Sequence, residues 1–362
     1  MNKITKIIIW VVVLAIVVWG GVKLLGTKEE KTNEPIKIGI ILPLSGNAAA
    51  LGESARNAAI LAKEKFKDTK NKYELIFEDD QADSKKTVSA FKKLVDVNQI
   101  SAVITAFSGP GNAIAPLAQK EQIIHFSVGS ADTNIPKGKE YVFSHWLKPE
   151  NEAEVYVKEA KNRGLKKIAI IASNQEGLIA RRDALLKTDS SIFLLKDNLV
   201  DQKEKDFRTT LLKAKSEEAD ALVFLTLPGQ LTLAVKQSKD LGMHVPLTSV
   251  GSFEHEKDAI SLLEGQWYVN PANPSDEFTL KFKEKYGSLP LLGSGNVYDV
   301  ISILISSFEK SKKTNNESVI RVISSINNFP GAMGNLSIDS DGAINGKAVV
   351  KKVIEGKYVE IK

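Results

Sequence analysis

Apolar runs and amphipathic segments alternate along the chain from Ile36 onwards. Ile36–Leu42 is apolar except for one lysine and one glycine, which is typical of a buried strand. After Gly52, alanines recur at helical spacing, with Phe66 on the same face. Between them, residues 45–52 form a loop of small residues at the carboxyl end of the strand, where open α/β sheets bind ligands. The stretch therefore predicts the first half of a βαβ unit with a candidate binding loop.

The same alternation predicts two successive series of strands and helices. The first series has strands at 73–77, 102–106 and 123–126, with a helix at 84–95 and, after a glycine-rich turn at 108–111, a second helix through residue 119. The second has strands at 167–172, 192–195, 221–225 and 247–250, with helices at 152–162, 178–187, 204–215 and 230–241. Strands this apolar, separated by helices, favour parallel sheets covered on both faces. We therefore expect an α/β fold with two Rossmann-like lobes.

Beyond residue 270 the pattern changes. Three helices are predicted at 275–286, 293–311 and 318–327, followed by strands and hairpins at 335–338 and 347–361. These are too many helices for the second series to cover alone. The chain is therefore expected to cross between the lobes more than once.

The N-terminal segment, residues 1–34, is predicted to lie outside the fold. Lys3 and Lys6 precede residues 7–25, which are apolar except for Lys23 and would span about 28 Å as a helix. This pattern favours an uncleaved transmembrane helix with its N-terminus inside, followed by a linker. A cleaved signal peptide is the alternative, since Gly20 and Gly21 could flank a processing site. Both alternatives place the globular part outside the cytoplasm.

Composition narrows the function classes. Hydrophobic residues make up 43% and charged residues 26% of the chain, values typical of a globular protein. The net charge of +5 is not gathered into long basic clusters, which argues against a nucleic-acid partner. The chain has no cysteine, so disulfides, thiolate chemistry and a lipid-modified N-terminal cysteine are all excluded.

No motif indicates an enzyme or a cofactor. Gly109-Pro110-Gly111 opens like a dinucleotide fingerprint, but position 114 is Ile and the third glycine is missing. The sequence contains neither a phosphate-binding Gly-Lys-Ser/Thr nor a Gly-x-Ser-x-Gly motif, and its four histidines lack metal-ligand spacing. The glycine-rich turn is better interpreted as a helix start whose free N–H groups can bind an anion such as a carboxylate.

Two further clusters have alternative interpretations. Asp79, Asp80 and Asp83 could bind a cation, but their place between a strand and a helix favours solvated capping. Trp146, Trp267 and Tyr268 lie near the expected lobe crossings. They could stack on a ligand or pack beneath the hinge.

Four stretches together resemble the type I periplasmic binding proteins, most closely the leucine/isoleucine/valine-binding receptors of ABC transporters. They are IKIGIILPLSGNAAALGESARNAAILA, FEDDQADSKKTVSAFKKLV, ISAVITAFSGPGNAIAPLAQKEQIIHFSVGSAD and GNLSIDSDGAINGKAVVKKVIEGKYV. The resemblance covers nearly all of residues 36–362. It implies crossovers near 144–149, 269–271 and 337–341, a first lobe of residues 35–146 and 271–338, and a second lobe of 147–270 and 339–362.

The resemblance also implies a ligand site in the cleft between the lobes. Relatives hold the carboxylate and ammonium groups of an amino acid in loops that match residues 107–109 and 128–130. Their ammonium-pairing acid falls near Gly251, and their aromatic pocket positions fall at Leu51, Gly177 and Leu227, so specificity for amino acids stays open. The candidate ligand-binding residues are Leu51, Phe107, Ser108, Gly109, Val128, Gly129, Ser130, Gln175, Gly177, Thr226, Leu227, Gly251, Ser252 and Glu254.

The function that the resemblance implies is a membrane-anchored, extracytoplasmic receptor. It would enclose a small-molecule ligand by hinge closure and hand it to an ABC permease. The alternative is a ligand-sensing ectodomain that regulates a partner membrane or envelope protein. The residues point to neither a catalytic, a metal nor a cofactor site.

Overall fold

A computed structural model describes residues 34–255 and 257–361. The predicted membrane span at 7–25 lies outside these residues. Within the described ranges, no helix is both long and apolar enough to cross a membrane.

Sixteen strands are assigned in the described chain. They are β1 Ile36–Leu42, β2 Tyr73–Asp79, β3 Ala102–Ala106, β4 Ile124–Val128, β5 Val142–Trp146, β6 Ile168–Ser173, β7 Phe193–Leu194, β8 Leu199–Val200, β9 Ala221–Leu225, β10 Leu247–Ser249, β11 Trp267–Pro271, β12 Phe329–Gly331, β13 Gly334–Leu336, β14 Ala343–Asn345, β15 Ala348–Ile354 and β16 Lys357–Glu360.

Ten α-helices are assigned in the same ranges. They are α1 Ala49–Glu64, α2 Ser84–Lys93, α3 Ser108–Lys120, α4 Pro149–Asn162, α5 Glu176–Asp189, α6 Arg208–Ser216, α7 Leu231–Asp240, α8 Asp276–Tyr286, α9 Ser294–Lys310 and α10 Asn316–Ser324. Short 3₁₀ turns occur at Ser190–Ile192, Phe253–His255 and Lys257–Leu262, and a π-helical turn, Leu94–Asn98, continues α2.

The first lobe is built on a six-stranded parallel sheet of order β14-β5-β4-β3-β1-β2. Its strands are apolar because both faces are covered, and β4 and β5 are buried throughout. The order reverses between β1 and β3, and such a switch point opens a crevice at the carboxyl ends of the strands.

The second lobe repeats this arrangement in a smaller parallel sheet of order β10-β9-β6-β7, with β8 also paired to β6. Its switch point lies between β6 and β9. An antiparallel sheet of order β11-β15-β16 is joined to it by a single bridge between Val250 and Val269. The predicted α/β class with parallel central sheets is confirmed.

Helices from the end of the chain complete the first lobe. Val300, Ile301 and Leu304 of α9 are buried in one cluster with Ile38 and Ile104 of the first sheet. Phe278 and Phe282 of α8 pack against Ala58 of α1. The expectation that helices beyond residue 270 return to the first lobe therefore agrees with the packing.

The chain crosses between the lobes after β5, after β11 and after β14. β14 still pairs with β5, with Ala343 opposite Ser144, so the chain belongs to the first sheet beyond the predicted crossover at 337–341. Lys148 at the first crossing forms an ion pair of 2.9 Å with Asp339 near the third.

Candidate functional site

A cavity of about 330 Å³ lies between the carboxyl ends of the two parallel sheets. The first lobe contributes residues that follow β1, β2, β3 and β4 and the last residue of β5, and the second lobe contributes residues that follow β6 and β9. Both switch points therefore open into one enclosed space. Its size is at the lower end of the range of small-molecule pockets.

The first-lobe wall is centred on the start of α3. Phe107 precedes the helix with φ +70°, a left-handed backbone conformation that is uncommon for a bulky residue. No side chain caps this helix, so its first N–H groups lack a side-chain acceptor. Ser108 and Gly109 from this turn line the cavity. The helix start is thus a candidate anion site, as the glycine-rich turn predicted.

The second-lobe wall is centred on the start of α5. Here the Gln175 side chain accepts hydrogen bonds from the N–H groups of Gly177 and Leu178, at 2.9 and 3.2 Å. This helix is capped by its own sequence, in contrast to α3. The two helix starts face each other across the cavity.

The lobes approach so closely there that side chains are excluded. A Cβ atom added to Gly177 would lie 2.4 Å from Oγ of Ser108 in the opposite lobe. A Cβ on Gly229 would lie 2.6 Å from Nδ2 of Asn47. The rings of Phe107 and His255 also meet across the cleft, with centroids 6.4 Å apart. Two glycines in the second lobe therefore allow the cleft to be this narrow.

A buried ion pair forms the floor on the second-lobe side. Arg181 of α5 lines the cavity and is only 5% exposed. Its Nε and Nη2 atoms donate to the two carboxylate oxygens of Glu152, at 2.7 and 3.2 Å. Burial raises the pKa of Glu152, and the charge and hydrogen bonds of Arg181 oppose that rise. The guanidinium occupies the space beside Gly251, where a Cβ would lie 2.7 Å from Cζ.

Three residues of the cavity wall carry buried polar atoms that have no hydrogen-bond partner among the described residues. They are Nε1 of Trp146, Oγ1 of Thr226 and Nδ1 of His255. Burial, with the nearby charge of Arg181, lowers the pKa of His255 to about 3. The imidazole is therefore neutral near pH 7. Buried polar atoms are normally paired, but these three are covered by the surrounding atoms, so a bound molecule could pair them only if side chains of the wall move.

The loop after β1 is held in place by Asp79. Its carboxylate accepts hydrogen bonds from the Leu44 and Ser45 N–H groups and from Oγ of Ser45, the last at 2.6 Å. Burial alone would raise the pKa of Asp79, but these bonds and one from Gln81 lower it. Asp83 caps α2 by accepting from the N–H groups of Lys85 and Lys86. In the part described, no cluster of three metal-ligating side chains occurs.

The structure places ten of the fourteen candidate residues in the cavity wall. They are Leu51, Phe107, Ser108, Gly109, Val128, Gly129, Gln175, Gly177, Thr226 and Leu227. The remaining four, Ser130, Gly251, Ser252 and Glu254, do not line the cavity.

Each of these four is engaged behind the wall. The Ser130 hydroxyl bonds to that of Ser127 at 2.5 Å, and Ser252 donates to the Thr226 carbonyl. Gly251 lies under the Arg181 guanidinium. Glu254 pairs with Lys351 at 3.0 Å and accepts hydrogen bonds from Tyr268 and Asn270. Their predicted direct contact with a ligand is not supported by these positions, because their polar groups are already paired or covered.

Several wall residues were not among the candidates, notably Asn47, Arg181, Gln202 and His255. For Arg181 the sequence does carry a signal. It shares one face of α5 with the buried Leu178 and Leu185, at spacings of three and four residues. An arginine on an otherwise apolar face indicates a buried charge that needs a partner. Trp146, which had two interpretations, lines the cavity while packing against Ala131 and Leu292.

Comparisons with known proteins agree with this architecture. A model of the periplasmic binding protein family matches residues 35–357. The leucine-binding protein LivK from Thermotoga maritima superposes with a TM-score of 0.83 at 22% identity, covering 90% of this chain and 98% of that one. LivJ from Streptococcus pneumoniae, solved with isoleucine, gives 0.79 at 20%, covering 90% and 98%. A solute-binding protein from R. palustris, solved with benzoate, gives 0.79 at 16%, covering 91% and 96%.

Proposed function

The chain belongs to the type I periplasmic binding protein family, and from that premise we propose that it is an extracytoplasmic solute-binding receptor of an ABC importer. The cavity between the carboxyl ends of the two sheets is the observation that carries the proposal. Its wall combines apolar side chains with a few polar groups, the composition of a small-molecule site. The unpaired atoms of Trp146, Thr226 and His255 lie just behind this surface, where a ligand reaches them only if the covering side chains move.

The proposed mechanism is hinge closure. The two walls belong to different lobes, so a ligand contacts both only when the cleft is shut. Its binding free energy then shifts the equilibrium from open to closed by the difference between its affinities for the two states. The three crossings between the lobes form the hinge. A permease would recognise the closed form and receive the ligand when the cleft opens.

The closing motion can be measured cleanly because the chain has no cysteine. Lys85→Cys and Lys203→Cys place one label on each lobe, at exposed positions whose side chains make no ion pair within the described residues. The full chain is first screened by thermal shift against amino acids, organic acids and sugars. Binding should raise the melting temperature as RT ln(1 + [L]/Kd) and shorten the distance between the labels. A ligand that stabilises the protein without changing this distance would reject hinge closure.

Tethering by residues 7–25 is part of the same proposal. It rests on their apolar sequence and on the basic residues before them. Alkaline extraction of membranes from cells that express the full chain tests it, with a variant lacking residues 1–26 as the control. The full chain should stay in the membrane pellet, and its release into the supernatant would contradict the anchor.

A further inference from the structure

The electrostatic character of the cavity limits the kind of solute it can hold. Among the described lining residues only Arg181 and Glu176 carry a charge. Glu176 is exposed at the start of α5, where water screens its charge, and its Oε2 would lie 3.9 Å from a Cβ added to Gly109 at the start of α3. Arg181 is buried, and its field acts in a poorly solvated space. The buried part of the wall therefore has a cation and no free carboxylate.

Glu152 is the carboxylate nearest to that wall, and it is not available. It is fully buried, and both of its oxygens accept hydrogen bonds from Arg181. It does not itself line the cavity. An ammonium group placed at the buried part of this wall would lose its water and gain no buried anionic partner, which is unfavourable. It would also lie near the guanidinium of Arg181.

Several hydrogen-bond donors of the wall have no acceptor among the described residues. Nη1 of Arg181 makes no hydrogen bond with any described residue, while Nε and Nη2 are used by Glu152. The indole N–H of Trp146 and the hydroxyl of Thr226 are likewise unpaired. Across the cleft the uncapped start of α3 adds backbone N–H groups and the positive end of its dipole. The wall also holds neutral acceptors, among them the side-chain amides of Asn47 and Gln202 and Nδ1 of His255.

We propose that this cleft selects a small carboxylic acid that carries no ammonium group. The inference rests on the proposed receptor function. The carboxylate is held between the start of α3 and the guanidinium of Arg181, and the apolar side chains of the wall cover the rest of the molecule. A neutral hydroxyl on the ligand can donate to His255. Zwitterionic amino acids are disfavoured because nothing in the buried wall neutralises their ammonium group.

Matched ligands test the charge directly. One set is isocaproate, isocaproamide and leucine, and another is hydrocinnamate, hydrocinnamamide and phenylalanine. Within a set the carbon skeleton is constant, and only the charged groups change. Titration calorimetry of the full chain should show each acid binding at least about tenfold more tightly than its amide and its amino acid.

A double variant tests the role of Arg181. Glu152→Gln with Arg181→Gln replaces the ion pair by two amides, which avoids leaving one buried charge unpaired. It should weaken acid binding by about tenfold or more and leave amide binding within about threefold. Glu159→Gln with Arg163→Gln removes a pair of the same type at the end of α4, away from the cavity. That control should bind the acids as the unmodified chain does.

The outcomes separate the two proposals. If an amino acid binds more tightly than its matched acid, the inference is overturned while the receptor function stands. If amide and acid bind equally, the carboxylate is not recognised and the inference again fails. If no solute of the wider thermal-shift panel binds, the receptor function itself is rejected and the inference with it.

Discussion

Replacing Gly177 by alanine should weaken ligand binding without weakening the fold. The added Cβ would lie 2.4 Å from Oγ and 3.2 Å from Cβ of Ser108, which belongs to the opposite lobe. Ordinary contact begins near 3.4 Å, so the lobes would have to part by about 1.0 Å (3.4 minus 2.4). Rotating the Ser108 hydroxyl would give up its bond with the Asp132 N–H and would leave the 3.2 Å contact in place.

The magnitude follows from where the clash occurs. Inserting a methyl group into a filled space costs about 1–3 kcal/mol. The clash destabilises only the closed state, so Kd should rise by about 5- to 150-fold. In the open state the methyl group still meets Oε1 of Gln175, 3.3 Å away in its own lobe, and alanine is a better helix residue than glycine by about 0.5–1 kcal/mol. The unliganded protein should therefore be as stable as before or slightly more so.

The assay is a double-mutant cycle on the full chain. Kd from calorimetry and the free energy of unfolding in urea are measured for Gly177→Ala, Ser108→Gly and the combined variant. Ser108→Gly removes both clashing atoms. Adding Gly177→Ala to Ser108→Gly should therefore cost much less affinity than adding Gly177→Ala to the unmodified chain. If Gly177→Ala binds as tightly as the unmodified chain, the lobes do not come this close when ligand is bound. The reasoning from the structure would then be refuted.

Three other predictions address single residues. Trp146→Phe keeps an aromatic side chain but removes the N–H, which has no partner in the described structure, and part of the buried ring system, so ligand affinity should fall by about 3- to 10-fold in calorimetry and the unfolding free energy in urea by about 1–3 kcal/mol. His255→Asn removes a base whose folded pKa of about 3 lies below the unfolded value of 6.5. Between those pH values the unfolded state binds more protons, so the stability of the unmodified chain falls as the pH is lowered. In His255→Asn the unfolding free energy should depend less on pH, by up to about 1.4 kcal/mol per pH unit in denaturation at pH 4–7. Lys351→Met leaves the Glu254 carboxylate, beside Tyr268 and Asn270, without its cationic partner. It should lower the unfolding free energy by about 3–5 kcal/mol. An unchanged stability would show that the Glu254–Lys351 pair is not formed.

The architecture could be predicted because its main signals are local. Buried parallel strands such as β1 and β9 are continuous apolar runs, and the helices between them show a clear apolar face. The strands at the crossings were not predicted because they combine polar and apolar residues or are very short. β5 reads Val-Phe-Ser-His-Trp, and His145 is buried only because Asn296 and Asp299, far along the chain, lie next to it. β14 has three residues, too few for any period to show.

The site could be predicted only as far as loops can be placed at strand ends. Strand ends locate the turns at Phe107 and Gln175, which do line the cavity. They do not reveal which polar side chains are already paired. Glu254 is satisfied by Lys351, 97 residues away, and Arg181 by Glu152, 29 residues away. Whether a charge faces a ligand or a partner depends on such distant contacts, and a single sequence does not contain them.

The late arrival of β14 and α9 in the first lobe has a consequence for how the protein is made. The stretch up to β5 emerges early in synthesis, but α9, which fills its core, and β14, which closes its sheet, come some 150 to 200 residues later. Until then the apolar face meant for Val300 and Leu304 has no cover. Most of the second lobe lies between, in one uninterrupted stretch from α4 to β11. The order of synthesis therefore makes most of the second lobe before the first lobe can be completed, and both lobes await the end of the chain, since β15 also pairs with β11 and places Val353 in the second core.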